Sequence, residues 1–171
     1  DGPIPECTPQ VLDILSQHGV KATFFMVGEN AERYPKLLAR VRPEGHAVGN
    51  HTYHHLKGYK MCTQNYLQDA QQANDILYTH LFRPPHGRMK YSQKKKLREL
   101  GCTIYLWDVL THDYNPCYSV EKMLSVVKRY TRNGSIIVMH DSLKSKDRML
   151  QLLPQMIDWL HAEGYKCETL P

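Results

Sequence analysis

The sequence predicts an α/β protein whose parallel strands are joined by helical crossovers. Three observations carry that expectation. Strand-like and helix-like segments alternate along all 171 residues, and strict alternation builds parallel sheets. No composition break or repeat interrupts it, so a single domain spanning residues 1–171 is expected. Finally, His51, Arg83, Asp113 and His140 each fall at, or shortly after, the end of a predicted strand. In a barrel such positions converge on one face. In an open doubly wound sheet only those near a switch point meet. Four contributing strands favour the barrel.

The elements follow in order. Thr8-Pro9 reads as an N-cap with proline at the first helical position. Val11, Leu12 and Leu15 make the stripe, and Gly19 the stop. Lys21 to Val27 is β-rich. A polar helix with Leu37, Leu38 and Val41 follows and closes near Pro43-Glu44-Gly45. His46 to Asn50 is the second strand. Thr63 to Thr79 is helical, with Tyr66, Ala70, Ala73 and Leu77 on one side. Leu81-Phe82-Arg83 is a strand stopped by two prolines. Ser92 to Leu100 is a helix and Thr103 to Trp107 a strand. Ser119 caps the next helix, which Asn133-Gly134 closes. Ser135 to His140 is the most apolar strand and is placed centrally. Asp147 to Ala162 is a last helix, with a kink at Pro154 as one option, and Tyr165 to Leu170 a last strand.

Composition narrows the function classes. Hydrophobic residues are 42% and charged residues 23%, as in ordinary globular proteins. Net charge is +5, but the basic residues are scattered apart from Lys94-Lys95-Lys96 and Lys144, Lys146 and Arg148. Unclustered charge without a recognition motif argues against a nucleic-acid partner. No apolar run reaches the ~20 residues of a membrane span. The five cysteines are odd in number and form no CxxC, so neither a disulfide framework nor a zinc knuckle is expected. They read mostly as buried thiols and lean toward a reducing compartment. A monomer is expected.

The reactive groups are a small set. His51 and His55, in His-Thr-Tyr-His-His, are four apart, a spacing that on a helical turn puts both imidazoles on one face. His51–His54 also fits geometrically. A carboxylate would complete a His₂-carboxylate metal site with a position left for water, and Asp1, in Asp-Gly-Pro, is the candidate. Phe82-Arg83-Pro84-Pro85-His86-Gly87 is a stiff turn able to fix an arginine and a backbone N–H. Asp113 is placed to reach outward, and His140 is a polar group at the end of an apolar strand.

Asp1-Gly2-Pro3, His51-Thr52-x-x-His55, Arg83-x-Pro85-x-Gly87, Asp113-Tyr114 and Val138-x-His140-Asp141 occur in the order of the five motifs of polysaccharide deacetylases. The chain therefore resembles this NodB-homology family of carbohydrate esterases along essentially its whole length. The resemblance implies a distorted (β/α)₇ barrel of the NodB type, with the first strand lying before Asp1. It implies metal-dependent hydrolysis of N-acetyl groups on N-acetylglucosamine-type polysaccharides: peptidoglycan, chitin-like polymers or poly-N-acetylglucosamine. Asp1, His51 and His55 would hold one divalent ion, Zn²⁺ first, with Co²⁺ or Ni²⁺ as substitutes. The general base would be an aspartate directly before Asp1, oriented by Arg83.

His140 would protonate the leaving amine, and Asp113 would stabilise its imidazolium. Pro85, His86, Tyr114 and Val138 would contact substrate. Tyr114 stands where the family commonly has tryptophan, and His86 where it has tyrosine. Tyr53, Tyr59 and Tyr114 are candidates to stack on sugars. The partner implied is an N-acetylated glycan, in the cell envelope. Two other readings are an inactive metal- or glycan-binding domain, and a hydrolase of another C–N bond such as a cyclic amide.

Overall fold

The computed structural model describes residues 1–171. The chain forms two compact units: Asp1–Pro3 with Thr23–Leu106, and Ile4–Ala22 with Trp107–Pro171.

The first unit carries four strands: β1 (Thr23–Met26), β2 (Ala47–Asn50), β3 (Leu81–Phe82) and β4 (Thr103–Ile104). They lie in sequence order, all parallel. The crossovers are α2 (Gly28–Arg33) with α3 (Pro35–Val41), then α4 (Thr63–Leu77), then α5 (Tyr91–Glu99). Tyr66, Ala70, Phe82 and Leu97 form a buried core between α4, α5 and the sheet. Gly28 packs where α2 meets α4: a Cβ there would come within 2.9 Å of the Ala73 backbone.

The second unit has α1 (Thr8–Gln17), β5 (Val109–Leu110), α6 (Val120–Tyr130), β6 (Ile137–Val138) and α7 (Lys146–Ala162). β5 and β6 pair in parallel. α7 packs on both α1 and α6, burying Leu12, Leu15, Met123, Val127, Met149, Leu152 and Ile157. Ser119 caps α6 as expected, its Oγ accepting from the Lys122 amide at 3.2 Å.

Several sequence expectations are corrected. Tyr165–Leu170 forms no strand: Gly164 turns at φ +80°, and the Tyr165 amide returns to the Leu160 carbonyl at the end of α7. The sixth strand is instead β5, hidden because only two residues of it pair. The apolar Ser135–His140 run is not central; it contributes the short β6, whose one partner is β5. The helix after β1 is two helices. Pro35 disfavours helical geometry at the residue before it, and Tyr34 adopts φ −124°, ψ 59°. Thr8 is not the N-cap: it is already helical, and its hydroxyl accepts from the Ile4 amide and donates to Asp141. α7 runs continuously through Pro154. All five cysteines are free, but only Cys7 is buried; Cys62 and Cys117 are exposed. No helix is long and apolar enough to cross a membrane.

Candidate active site

In the first unit, parallel register brings the C-terminal ends of successive strands side by side. The His51 amide donates to Met26, that of Arg83 to Asn50 and that of Tyr105 to Phe82. The N-terminal segment runs along the end of β1, with the Val27 amide on the Gly2 carbonyl and the Asn30 side chain on the Asp1 carbonyl. These contacts place Asp1 against the residues that leave β2.

His51 and His55 meet Asp1, but not by the helical route. Residues 51–55 form a loop in which Thr52 (φ 64°) and His55 (φ 55°) are left-handed. Asn50 Oδ1 accepts from the Thr52 amide at 2.8 Å, and Thr52 Oγ1 accepts from the Leu56 amide at 3.1 Å. These side-chain bonds offset part of the backbone strain. The loop turns His51 Nε2 to 3.6 Å and His55 Nε2 to 3.4 Å from the same oxygen, Asp1 Oδ1. All three potential ligand atoms lie within 4.8 Å of one another.

The donor set fits a cation. His51 Nδ1 faces the Arg83 carbonyl at 2.7 Å. That acceptor requires the proton on Nδ1 and leaves a lone pair on Nε2, aimed at a carboxylate. Burial pushes the His51 pKa well below the ordinary histidine value. Two nitrogens and one carboxylate oxygen suit zinc among divalent ions. The bond to a backbone carbonyl is the outer-shell contact that metal-ligating imidazoles usually make.

His54 is not a member of this cluster. Its Nδ1 lies 2.5 Å from Asp69 Oδ1, and Asp69 Oδ2 accepts from the Tyr53 and His54 amides. Asp69 went unremarked in the sequence, although a signal existed: it is a carboxylate three residues after Tyr66, on the buried stripe of α4. Replacing Asp69 with alanine strands two amides. It is expected to destabilise the protein by about 2–4 kcal/mol, read by urea denaturation.

Arg83 is buried. It donates to the Tyr105 and Leu106 carbonyls at 3.3 and 3.0 Å, and its guanidinium stacks 4.0 Å from the Phe25 ring centroid. Burial lowers its pKa to about 10. Pro85 is buried, and His86 is exposed in a left-handed turn at φ 58°, its ring 4.9 Å from that of His55. Tyr53 is buried with its hydroxyl on Glu32, so it is no sugar platform.

The second unit holds a separate dyad. Asp113, fully buried past β5, accepts from the His140 backbone amide at 2.6 Å and faces His140 Nδ1 at 2.7 Å. The two contacts fix ring orientation and put the Nδ1 proton on the carboxylate side, leaving Nε2 for chemistry. Arg148 donates to the Asp113 carbonyl at 2.9 Å. Tyr114 packs edge-on to His140 with centroids 5.1 Å apart. Val138, in β6, is buried, and its carbonyl accepts from Thr111 Oγ1.

A histidine pair against one carboxylate, and an imidazole clasped by a buried aspartate, are groups from which a hydrolytic site can be built. The polysaccharide deacetylase family profile matches residues 1–105, and the chain belongs to that family. It is 36% identical over 182 residues to a peptidoglycan-N-acetylglucosamine deacetylase of Bacillus cereus, covering 100% of this chain and 64% of that protein. A second B. cereus protein of the same name is 33% identical, covering 99% of this chain and 83% of the relative. The chain thus spans under two thirds of one relative and most of the other.

The solved structure of the Bc1960 peptidoglycan N-acetylglucosamine deacetylase, with a bound N-oxidanyl benzamide, superposes with a TM-score of 0.95 at 34% identity. It covers 100% of this chain and 83% of that one. The fold is therefore the NodB-type α/β fold that the motif resemblance implies. BA3943 of Bacillus anthracis, a pseudoenzyme, also matches, with a TM-score of 0.83 at 25% identity over 95% of this chain and 58% of that one.

Proposed function

We propose that the chain removes N-acetyl groups from N-acetylglucosamine-type polysaccharides, with peptidoglycan as the favoured polymer. The observation that carries this reading is the convergence of His51 Nε2 and His55 Nε2 on Asp1 Oδ1. The two B. cereus relatives and the Bc1960 structure bear peptidoglycan deacetylase names, which favours that polymer over chitin-like ones.

Asp1, His51 and His55 would hold one divalent ion, zinc first and cobalt or nickel as substitutes. When bound, such an ion supplies Lewis acidity toward the acetyl carbonyl and lowers the pKa of water. Arg83 resembles the family's base-orienting arginine. Its buried guanidinium, held by two carbonyls, has donors left to fix a carboxylate. Cleavage of the amide leaves an amine, a poor leaving group until protonated. His140 Nε2 would deliver that proton while Asp113 balances the charge. Tyr114, Val138, Pro85 and His86 would shape the acetyl and sugar contacts.

Acetate release by the full-length protein from peptidoglycan and from chitooligosaccharides, set against ring opening of a cyclic amide, tests the reading. Release from the glycans is expected, peptidoglycan fastest. Cyclic-amide hydrolysis without acetate would overturn it. The BA3943 relationship supports a second reading, a glycan binder without turnover; retention on glycan with no acetate released would establish it. The intact Asp113–His140 dyad favours the enzyme.

A further inference from the structure

Four exposed cations stand on the loops that follow His55 and Arg83: Lys57 and Lys60 on one, Arg88 and Lys90 on the other. None forms an ion pair, because the acids of this unit are engaged elsewhere. Glu29 pairs with Arg33, Glu44 with Arg40, Glu99 with Lys96, Asp69 with His54, and Asp1 with the histidines. Glu32 accepts from Tyr53 and Asp75 from Gln71.

Arg88 is the cation with a defined seat. Its guanidinium carbon lies 5.1 Å from the ring centroid of Tyr59, which is 37% exposed. The two residues come from different loops, and one buried side chain holds those loops together. Gln93 Nε2 donates to the carbonyls of Gly58 (2.8 Å) and Met61 (3.3 Å), while its Oε1 accepts from the Lys90 amide (2.8 Å). A Cβ at Gly58 would come 2.9 Å from Gln93 Oε1, so the clasp is close-packed.

Arg88 is exposed and in no ion pair, so its N–H groups, which match a carboxylate, are open to a ligand. Arg88 is two residues past His86, so their Cα atoms are at most about 7 Å apart. The His86 ring in turn abuts His55.

We propose that Tyr59 and Arg88 form a subsite for a carboxylate-bearing sugar adjoining the one presented to the histidine pair. Lys57, Lys60 and Lys90 supply long-range attraction to such an anionic chain. This rests on the deacetylase reading and sharpens its substrate. The carboxylate can be the lactyl group of a muramic-acid-type sugar or one on an attached peptide branch.

The test uses full-length protein with Arg88→Gln, Arg88→Lys and Tyr59→Leu. Three probes are compared: N-acetylglucosaminyl–N-acetylmuramic oligosaccharide with its lactyl carboxylate free, the same oligosaccharide carrying its peptide branch, and uncharged N,N′,N″,N‴-tetraacetylchitotetraose. Binding is followed by calorimetry and turnover by acetate release. Arg88→Gln is expected to weaken binding and kcat/KM about tenfold on a carboxylate-bearing probe and to leave both unchanged on the uncharged one. Arg88→Lys should fall between, and high salt should erase the difference. Tyr59→Leu should give a partial, equally selective loss. The probe that responds identifies the carboxylate.

Equal loss on all probes, or loss on none, overturns the subsite. Because calorimetry needs no turnover, selective binding without acetate release would overturn the deacetylase reading while leaving the subsite standing.

Discussion

Replacing His140 with alanine in the full-length protein is expected to lower kcat by about 10²–10⁴-fold, the usual contribution of a positioned proton donor. Bound metal should not change. The reason is spatial economy: His140 is held by Asp113 within the second unit, and the Asp1–His51–His55 cluster belongs wholly to the first. The side chain is partly exposed, so its removal leaves no large buried cavity. Acetate release and elemental analysis on the same preparation read both halves. Retained turnover would remove His140 from the chemistry. Lost metal would mean that the variant damages the fold, and Asp113→Asn would then serve as the second probe, because it keeps the shape while weakening the proton-holding contact.

Asp1→Ala is expected to have the second large effect, now on metal rather than proton transfer. Both imidazoles face one oxygen of this carboxylate. Without it, two lone pairs face each other with no anionic ligand between them. Metal affinity should fall by more than about 100-fold, beyond the losses seen when only outer-shell partners are removed, and turnover should fall with it. Equilibrium dialysis gives the affinity. Near-normal affinity would show that the histidines bind with another carboxylate and would remove Asp1 from the site.

Much of this site was legible because its residues are few in kind and sit at strand ends. His51, Arg83, Asp113 and His140 each follow a paired strand, β2, β3, β5 and β6 respectively. Alternation of strand and helix signals is enough to find the ends of β2, β3 and β6, whereas Asp113 was placed after the Thr103–Trp107 run and the structure sets it after β5. The route by which His51 and His55 converge was not legible. A separation of four suggests a helical turn, but Thr52 and His55 are left-handed, a state favoured here by amides that donate to the Asn50 and Thr52 side chains. The Asn50 side chain is itself held by donating to the Ala70 carbonyl, a tertiary contact.

One short strand was missed for a related reason. β5 is two residues set between Asp108 and Thr111, too few for periodicity to register, whereas the alternating segment after Gly164 satisfies its first amide on α7 instead of a neighbouring strand. Asp69 escaped notice because a lone acid on a polar helix reads as solvated, and only its contacts with Tyr53 and His54 reveal otherwise.

The Gln93 clasp has a practical meaning for anyone wishing to retarget this scaffold. Residues 57–61 and 88–93 are mechanically one part, since a single amide stitches both segments. Grafting either segment alone from a homologue would tear the stitch and tilt the other. Transplanting them as a matched block, glutamine included, should carry a new specificity across with its geometry intact.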